Sequence, residues 1–222
     1  MQTPARFCHV ALSVPNLIGY LRLALLAAAV CTGVSAPQLT YCLFLINLLL
    51  DGLDGIAARR LNQCSSFGAF LDVFVDNLTR GTLWVWSTPA PFGVLPVILE
   101  TTVFTCTHRG SGAAWKTGCF SQAPRWVQSI MADGFKTPSG ALAIVGLMGL
   151  PLWLWAFRYM PGSLYASSFL GVLVIVGRLV CASVEVWVLC SHISGLLKQD
   201  KLDCDKSVGA QTTKADIKRS SD

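Results

Sequence analysis

Residues 48–77 read LLLDGLDGIAARRLNQCSSFGAFLDVFVDN, and they place four aspartates in otherwise apolar sequence. A carboxylate in the hydrocarbon layer of a membrane costs several kcal/mol unless it is paired or coordinated, so these residues need a partner. Asp51 and Asp54 are three residues apart, and Asp72 and Asp76 are four apart. On helices, each pair projects from one face. Two helices that face each other would therefore build one cluster of four carboxylates.

The composition is typical of an integral membrane protein. Of the 222 residues, 53% are hydrophobic and 13% are charged, and the mean hydropathy is +0.56. Soluble domains carry about 25% charged residues, and a run of about 20 apolar residues spans a bilayer. The sequence predicts an all-α polytopic membrane protein of about six transmembrane helices, forming one membrane domain over residues 1–197. The predicted spans are residues 16–35, 38–59, 66–88, 91–107, 140–157 and 164–195.

Basic residues are distributed unevenly over this predicted topology. Six spans put both termini on one side, which carries most of the Lys and Arg, whereas the opposite loops carry only Arg158. The positive-inside rule therefore predicts cytoplasmic termini and a polar cavity at the aspartates that opens to the cytoplasm. The net charge of +5 then reflects topology and contact with anionic membrane lipids. The cytoplasmic basic residues are Arg6, Arg59, Arg60, Arg109, Lys116, Arg125, Lys136, Lys198, Lys201, Lys206, Lys214, Lys218 and Arg219.

Other features of the chain limit its class. We expect no nucleic-acid partner, because there is no folded basic module with interleaved aromatic residues. The nine cysteines include no C-x-x-C pair, which favours reduced packing residues over a disulfide framework. The N-terminal segment does not resemble a signal peptide. The tail over residues 198–222 alternates Lys and Asp with few apolar residues, which predicts a disordered cytoplasmic segment.

Two connections organise the predicted helices. The turn between the second and third spans is short, residues 60–65, so these spans should be antiparallel neighbours that bring the two aspartate pairs together. The longest polar loop, residues 107–139, is expected to hold an interfacial helix with Trp126, Ile130 and Met131 on one side.

The aspartates belong to a longer pattern, Asp51-x2-Asp54-Gly55-x2-Ala58-Arg59-x8-Gly68-x3-Asp72-x3-Asp76. This pattern resembles that of the CDP-alcohol phosphotransferases, also called CDP-alcohol phosphatidyltransferases. The flanking sequences VPNLIGYLR at 14–22, AARRLNQ at 57–63 and FGAFLD at 67–72 are similar to those of phosphatidylinositol synthases in particular. The resemblance at motif level covers about residues 14–80.

The resemblance implies an enzyme of phospholipid biosynthesis. Members of this family transfer a phosphatidyl group from CDP-diacylglycerol to an alcohol, and in the synthases most similar to this chain the alcohol is myo-inositol and the products are phosphatidylinositol and CMP. It also implies an endoplasmic reticulum membrane and a homodimer.

The carboxylates suit a metal-dependent transfer. Charge that accumulates on bridging phosphate oxygens calls for divalent cations, and carboxylate sites suit Mg²⁺ or Mn²⁺. Asp51, Asp54 and Asp72 are the best candidate ligands. Asp76 is a further ligand, and the resemblance makes it the general base that takes the proton of the acceptor hydroxyl.

The remaining motif residues are candidates for binding the CDP-lipid. Gly55 and Ala58 leave room for the cytidine diphosphate to approach the helix backbone. Arg59 can hold a phosphate through a charge-assisted pair, and Gly68 gives clearance on the face of Asp72.

The acceptor half of the pattern differs from that of the phosphatidylinositol synthases. In that family an arginine follows the fourth aspartate, whereas this chain has Asn77. A basic residue near the start of the fifth span corresponds to Lys136, without the family's neighbouring arginine, and Lys is a poor geometric substitute for a bidentate Arg. Arg80 continues the face of Asp72 and Asp76. Asn77, Arg80 and Lys136 are therefore the candidate acceptor-site residues.

Three alternative functions remain open from the sequence. The same reaction with a different acceptor alcohol is one, and a catalytically degenerate paralogue that binds CDP-lipid is another. A transporter or channel is the third, because intramembrane carboxylates also mark ion paths. Other charges in the spans, Arg22, Arg178, Glu100 and Glu185, are expected to face the polar cavity or to pair, but the sequence does not say with which partner.

Overall fold

The computed structural model describes residues 10–111 and 123–221, and the described chain is helical, without a strand. Pro starts or nearly starts three of the long helices, where its fixed φ fits and its missing N–H costs nothing. The helices are α1 (Val14–Thr32), α2 (Pro37–Arg60), α3 (Ser66–Ser87), α4 (Val94–Ser111), α5 (Arg125–Met131), α6 (Pro138–Tyr159) and α7 (Ser168–Ser221).

The all-helical prediction is confirmed, and each of the six long helices overlaps one predicted span, although α7 extends well beyond residue 195. Four segments are long and apolar enough to cross a membrane: Val14–Ser35, Pro37–Arg60, Pro138–Tyr159 and Ser168–Asp203. The helix α3 is long enough but carries Asp72, Asp76 and Arg80, and the apolar part of α4 is the shorter stretch Val94–Thr107. The structure thus shows an apolar helical protein with four candidate spans, and the number six for the crossings stays a prediction.

The polarity of the molecule is inverted relative to a soluble domain. Large apolar side chains are exposed along the helices, as at Leu179 and Phe169. In contrast, Arg22, Asn47 and Thr79 are fully buried. Apolar side chains on the outside suit contact with lipid, and the polar side chains are kept in the interior.

The hairpin of α2 and α3 places the two aspartate pairs. Its turn follows Arg60, and Ser65 caps α3 by accepting a 3.0 Å hydrogen bond from the Gly68 N–H. The helix α1 packs along α2 and also contacts α3. Residues from α1 can therefore reach both aspartate pairs.

Close packing of α6 and α7 positions the far side of the site. A Cβ on Gly146 would overlap the backbone of Gly177 and Arg178, and a Cβ on Gly177 would overlap the Leu142 carbonyl oxygen. Small residues allow such close approach of helix backbones in membranes. The consequence is that Arg178, next to this contact, is held in the interior.

The predicted interfacial helix in the long loop is partly right. The short helix α5 buries Val127, Ile130 and Met131 against α6 and α7, whereas Trp126 is 45% exposed. Trp126 therefore does not share the buried side with Ile130 and Met131. Residues 112–122 of this loop, with Lys116, and Arg6 near the N-terminus lie outside the described residues.

The segment predicted to be a disordered tail is helical in this structure, because α7 continues to Ser221. The tail sequence contains no proline, and residues four apart can pair along a helix, as Gln199 does with Asp203 at 3.2 Å. The boundary between membrane domain and tail at residue 197 stays a prediction.

Candidate active site

The side chain of Arg22 on α1 lies between the two aspartate pairs. Its Nη1 is 3.0 Å from Asp51 Oδ1 and 2.9 Å from Asp54 Oδ2 on α2. On α3, the same nitrogen is 3.2 Å from Asp72 Oδ1, and Nη2 donates to Asp76 Oδ1. The Arg22 side chain has no exposed surface. The structure thus brings all four aspartates together around one guanidinium group.

Three of the four aspartates form a group that could hold a metal ion. Asp51, Asp72 and Asp76 each offer an oxygen, and these atoms lie within 4.8 Å of one another. Asp51 and Asp72 are 27% and 38% exposed, so the group is reachable from outside. Asp54 is only 8% exposed and lies outside this group, with its carboxylate directed to Arg22. Oxygen ligands of this kind fit Mg²⁺ or Mn²⁺.

Asn47 is a site residue that the sequence analysis missed. Its Nδ2 donates to the Arg22 backbone oxygen at 2.7 Å, and its Oδ1 accepts from Arg22 Nε at 3.4 Å. Thr79 on α3 also donates to Asn47 Oδ1, at 3.4 Å. Asn47 thus fixes the base of the arginine that the aspartates share. A signal was present, because Asn47 lies one turn before Asp51 on the same helix face.

A second chain of ion pairs continues from Asp76 across the interior. Arg80 Nη1 is 3.2 Å from Asp76 Oδ2, and Arg80 Nε is 2.7 Å from Glu100 Oε2 on α4. On α7, Arg178 is 3.4 Å from Glu100 Oε1 and 2.7 Å from Glu185 Oε2. Trp84 Nε1 also donates to Glu100 Oε1 at 3.2 Å. The in-span charges that the sequence left without assigned partners therefore form one connected network.

The charges of this network do not balance. Ion pairs connect six carboxylates with three guanidinium groups, so with all groups ionised there are three excess negative charges. Unpaired charge in a low-dielectric interior is unfavourable by several kcal/mol per ion. The excess lies at the aspartate end, because the four carboxylates there share Arg22 and a single contact from Arg80. The residues present therefore fit divalent cations at the aspartate cluster.

Two cavities meet at the aspartate cluster, and Asp72 lines both. The larger, of about 230 Å³, has Asp51, Asp72 and Asp76 at one end and Glu100 and Glu185 in its wall. Apolar side chains of α3, α4, α5, α6 and α7 make up most of the remaining wall. We call it the inner cavity.

The smaller cavity, of about 130 Å³, lies on the other side of the cluster. Asp54, Ala58 and Gly68 line it, together with Asn16 of α1. A Cβ on Gly68 would stand 2.9 Å from Asn16 Oδ1, so only glycine leaves this space open. We call it the outer cavity. Asn16 is a second residue that the sequence analysis missed.

The predicted CDP-lipid residues lie near the outer cavity. Ala58 and Gly68 line it directly. Gly55 and Arg59 do not, but the Arg59 guanidinium passes over Gly55, where a Cβ would stand 3.4 Å from Nη1. Arg59 is exposed and can therefore reach a phosphate group from this position.

Of the three predicted acceptor residues, two line the inner cavity and one does not. Asn77 and Arg80 line the inner cavity, and Arg80 Nη2 donates to Asn77 Oδ1 at 2.9 Å. Lys136 is exposed and lines neither cavity. The structure thus brings Asn77 and Arg80, but not Lys136, to the aspartate cluster.

Comparison with known proteins is consistent with this geometry. The family model described as CDP-alcohol phosphatidyltransferase matches residues 12–189. A CDP-diacylglycerol–inositol 3-phosphatidyltransferase of Arabidopsis thaliana is 38% identical over 76 residues, which are 34% of this chain and 34% of the relative. The enzyme of the same name from Homo sapiens is 39% identical over 77 residues, 35% of this chain and 36% of the relative.

The Saccharomyces cerevisiae enzyme of that name is 41% identical over 75 residues, 34% of each chain. The chain therefore spans about a third of the length of the curated relatives that it matches. No solved structure matches the chain.

Proposed function

The chain belongs to the CDP-alcohol phosphatidyltransferase family, and on that premise we propose that it transfers a phosphatidyl group from CDP-diacylglycerol to myo-inositol. The products are phosphatidylinositol and CMP. The observation that carries this proposal is the convergence of Asp51, Asp72 and Asp76 between two cavities. The names of the relatives, which are inositol 3-phosphatidyltransferases, support inositol as the acceptor.

The two cavities suggest how the substrates are arranged. The outer cavity, with Ala58 and Gly68, takes the cytidine diphosphate, and Arg59 pairs with a donor phosphate. The inner cavity takes the acceptor alcohol, so the acceptor hydroxyl and the donor phosphate meet at Asp72. Holding both reactants at one point supplies much of the acceleration in such a transfer.

The aspartates hold the metal and the proton. Asp51, Asp72 and Asp76 would bind Mg²⁺ or Mn²⁺, with Asp54 as a further ligand. When bound, the cation neutralises charge that develops on the pyrophosphate oxygens. Asp76 lines the inner cavity, and Arg22 and Arg80 each contact one of its two oxygens. Asp76 is therefore oriented toward the acceptor as its general base.

The bonds change in one displacement. The acceptor hydroxyl oxygen forms a bond to the phosphorus that carries the diacylglycerol group, and the bond from that phosphorus to the bridging oxygen of CMP breaks. The hydroxyl proton passes to Asp76, and CMP leaves with the bridging oxygen.

A reconstituted assay tests this function. Purified protein in liposomes receives CDP-diacylglycerol, Mg²⁺ or Mn²⁺ and labelled inositol, and we expect labelled lipid and equimolar CMP. The Asp76→Asn variant is the matched control. If neither inositol, glycerol phosphate nor serine releases CMP above that control, the chain does not catalyse this reaction.

We further propose six membrane crossings, with the termini and the outer cavity on the cytoplasmic side of the endoplasmic reticulum, and a homodimer. The support is the charge asymmetry of the loops and the resemblance to phosphatidylinositol synthases. Single cysteines introduced at Arg158 and Arg59 into a cysteine-free chain would test the orientation. Labelling by an impermeant reagent from the lumenal side at position 158 and the cytoplasmic side at position 59 is expected, and the reverse would refute it.

A further inference from the structure

The wall of the inner cavity carries more negative than positive charge. Among the described residues that line it, Arg80 is the only cation. Beyond the three aspartates, the lining carboxylates are Glu100 and Glu185. Both glutamates are buried, at 7% and 8% exposure. A ligand in this cavity therefore meets carboxylates that solvent does not screen.

Both arginines near this cavity are already paired. Arg80 contacts Asp76 at 3.2 Å, Glu100 at 2.7 Å and the Asn77 oxygen at 2.9 Å. Arg178, which lies behind the wall, contacts Glu185 at 2.7 Å and Glu100 at 3.4 Å. An entering phosphate would have to displace a buried carboxylate to gain a cation, which leaves that carboxylate unpaired.

The same wall can accept hydrogen bonds from hydroxyl groups. Glu185 uses Oε2 for Arg178, whereas the contact to its Oε1 is a long one, 3.9 Å from Cys181 Sγ. The amide of Asn77 also lies in the wall. The volume of about 230 Å³ is below the roughly 300–1,000 Å³ of pockets for drug-sized ligands. The polar part of this wall thus offers acceptors to a small molecule that donates hydrogen bonds, although most of the other lining residues are apolar.

We propose that Glu100 and Glu185 determine acceptor specificity: by neutralising Arg80 and Arg178, they make the inner cavity accept an uncharged polyhydroxylated alcohol and reject a phosphorylated one. This inference rests on the proposed function. Glu100 acts as a positioning residue through Arg80, and Glu185 both pairs with Arg178 and offers an oxygen to an acceptor hydroxyl. The site discriminates because binding of the phosphorylated alcohol is unfavourable: its phosphate would meet buried carboxylates and, among the described lining residues, no free cation. Many specific sites exclude wrong ligands in this way.

The experiment compares two acceptors that differ by one phosphate. For the full-length protein with Mg²⁺ and CDP-diacylglycerol, kcat and KM are measured with myo-inositol and with myo-inositol 1-phosphate. We expect wild-type kcat/KM to be at least tenfold lower for the phosphate. If the wild type uses both acceptors equally well, the proposal is refuted. This test needs no variant, so it does not depend on whether a variant folds.

Variants then assign the effect to residues. Glu185→Gln is expected to reduce the discrimination at least tenfold, chiefly through a lower KM for the phosphate, whereas Glu185→Asp keeps the charge and should retain most of it. Asp200→Asn is the matched control, because it also removes one negative charge but at an exposed position. It should leave kcat/KM for both acceptors unchanged. An unchanged acceptor ratio in Glu185→Gln and in Glu100→Gln would overturn the assignment.

A binding measurement separates this inference from the proposed function. The rise in melting temperature on adding each acceptor, with Mg²⁺ but no CDP-lipid, reports acceptor selectivity without turnover. Selective stabilisation by inositol with no CMP release would leave the inference standing and refute the transferase. CMP release with either acceptor at similar rates would refute the inference alone.

Discussion

Arg22 Nη1 lies 2.9 Å from Asp54 Oδ2, and this contact joins α1 to α2 at the point where the second aspartate pair approaches from α3. Asp54 lies outside the group of three aspartates that could hold a metal ion. The main contact of the Asp54 carboxylate is therefore its ion pair with Arg22. The pair makes the position of the other three aspartates depend on a helix that carries no carboxylate of its own.

Replacing Arg22 should therefore disorder the whole cluster. Arg22→Ala leaves four carboxylates without their shared cation, and breaking a buried pair of this kind costs about 3–5 kcal/mol. We expect a clear loss of melting temperature and at least a hundredfold loss of transfer. Arg22→Lys should recover part of the stability but little activity, because one ammonium cannot also replace the Nη2 donor to Asp76 and the Nε donor to Asn47. Full activity in Arg22→Lys would show that only the charge is needed.

The Asp76→Asn variant should separate chemistry from donor binding. The change keeps the shape but removes the base, and general base catalysis contributes about 10²–10⁴-fold. Because Asp76 is also a candidate metal ligand, the variant is assayed at saturating Mn²⁺. We then expect a loss of kcat in that range, with stabilisation of the protein by CDP-diacylglycerol retained. Thermal denaturation with and without the lipid measures the second effect. Wild-type kcat in this variant would exclude Asp76 as the base.

Asp51 and Asp54 should respond differently to metal concentration. Asp51 belongs to the group of three oxygens within 4.8 Å, and Asp54 does not. Asp51→Asn is therefore expected to raise the Mn²⁺ concentration for half-maximal binding at least tenfold, and Asp54→Asn to raise it less. Paramagnetic resonance of free Mn²⁺ measures binding independently of activity. A larger effect at Asp54 would mean that this residue is a direct ligand and Asp51 is not.

The contact between α6 and α7 should tolerate no side chain at Gly177. A Cβ there would stand 2.9 Å from the Gly146 nitrogen and would overlap the Leu142 carbonyl oxygen, so the helices must separate. We expect Gly177→Ala to lower the melting temperature by several degrees. Gly195→Ala on the same helix is the control, since no atom lies within 4 Å of its added Cβ. It should be neutral or stabilising by up to about 1 kcal/mol, and equal effects of the two changes would contradict this packing.

Sequence reasoning was sufficient for the hairpin that carries the aspartates. The third span was predicted over residues 66–88, and α3 runs over Ser66–Ser87. The i, i+3 and i, i+4 spacings place each pair on one helix face, and the short turn then brings the pairs together. These relations are local, which is why a linear pattern can reveal them.

The interior network was not predictable in the same way. Arg80 and Glu100 are 20 residues apart, and Arg178 and Glu100 are 78 apart. Which carboxylate meets which arginine depends on helix rotation and on the close contact at Gly146 and Gly177. Lys136, although near α6 in sequence, likewise does not line the inner cavity.

The pairing of Glu100 with Arg178 also has a consequence for synthesis of the chain. Glu100 lies on α4, whereas Arg178 lies on α7, which follows α4 in the chain and is therefore made later. Until α7 is inserted, Arg178 and Glu185 are missing from the interior and the wall that holds Arg80 is unfinished. We therefore expect nascent chains that stop after Tyr159 to stay accessible to protease and quality control, and chains extended through α7 to become resistant. The interior network therefore becomes complete only when α7 is present, so this part of the fold should form only after α7 has been translated.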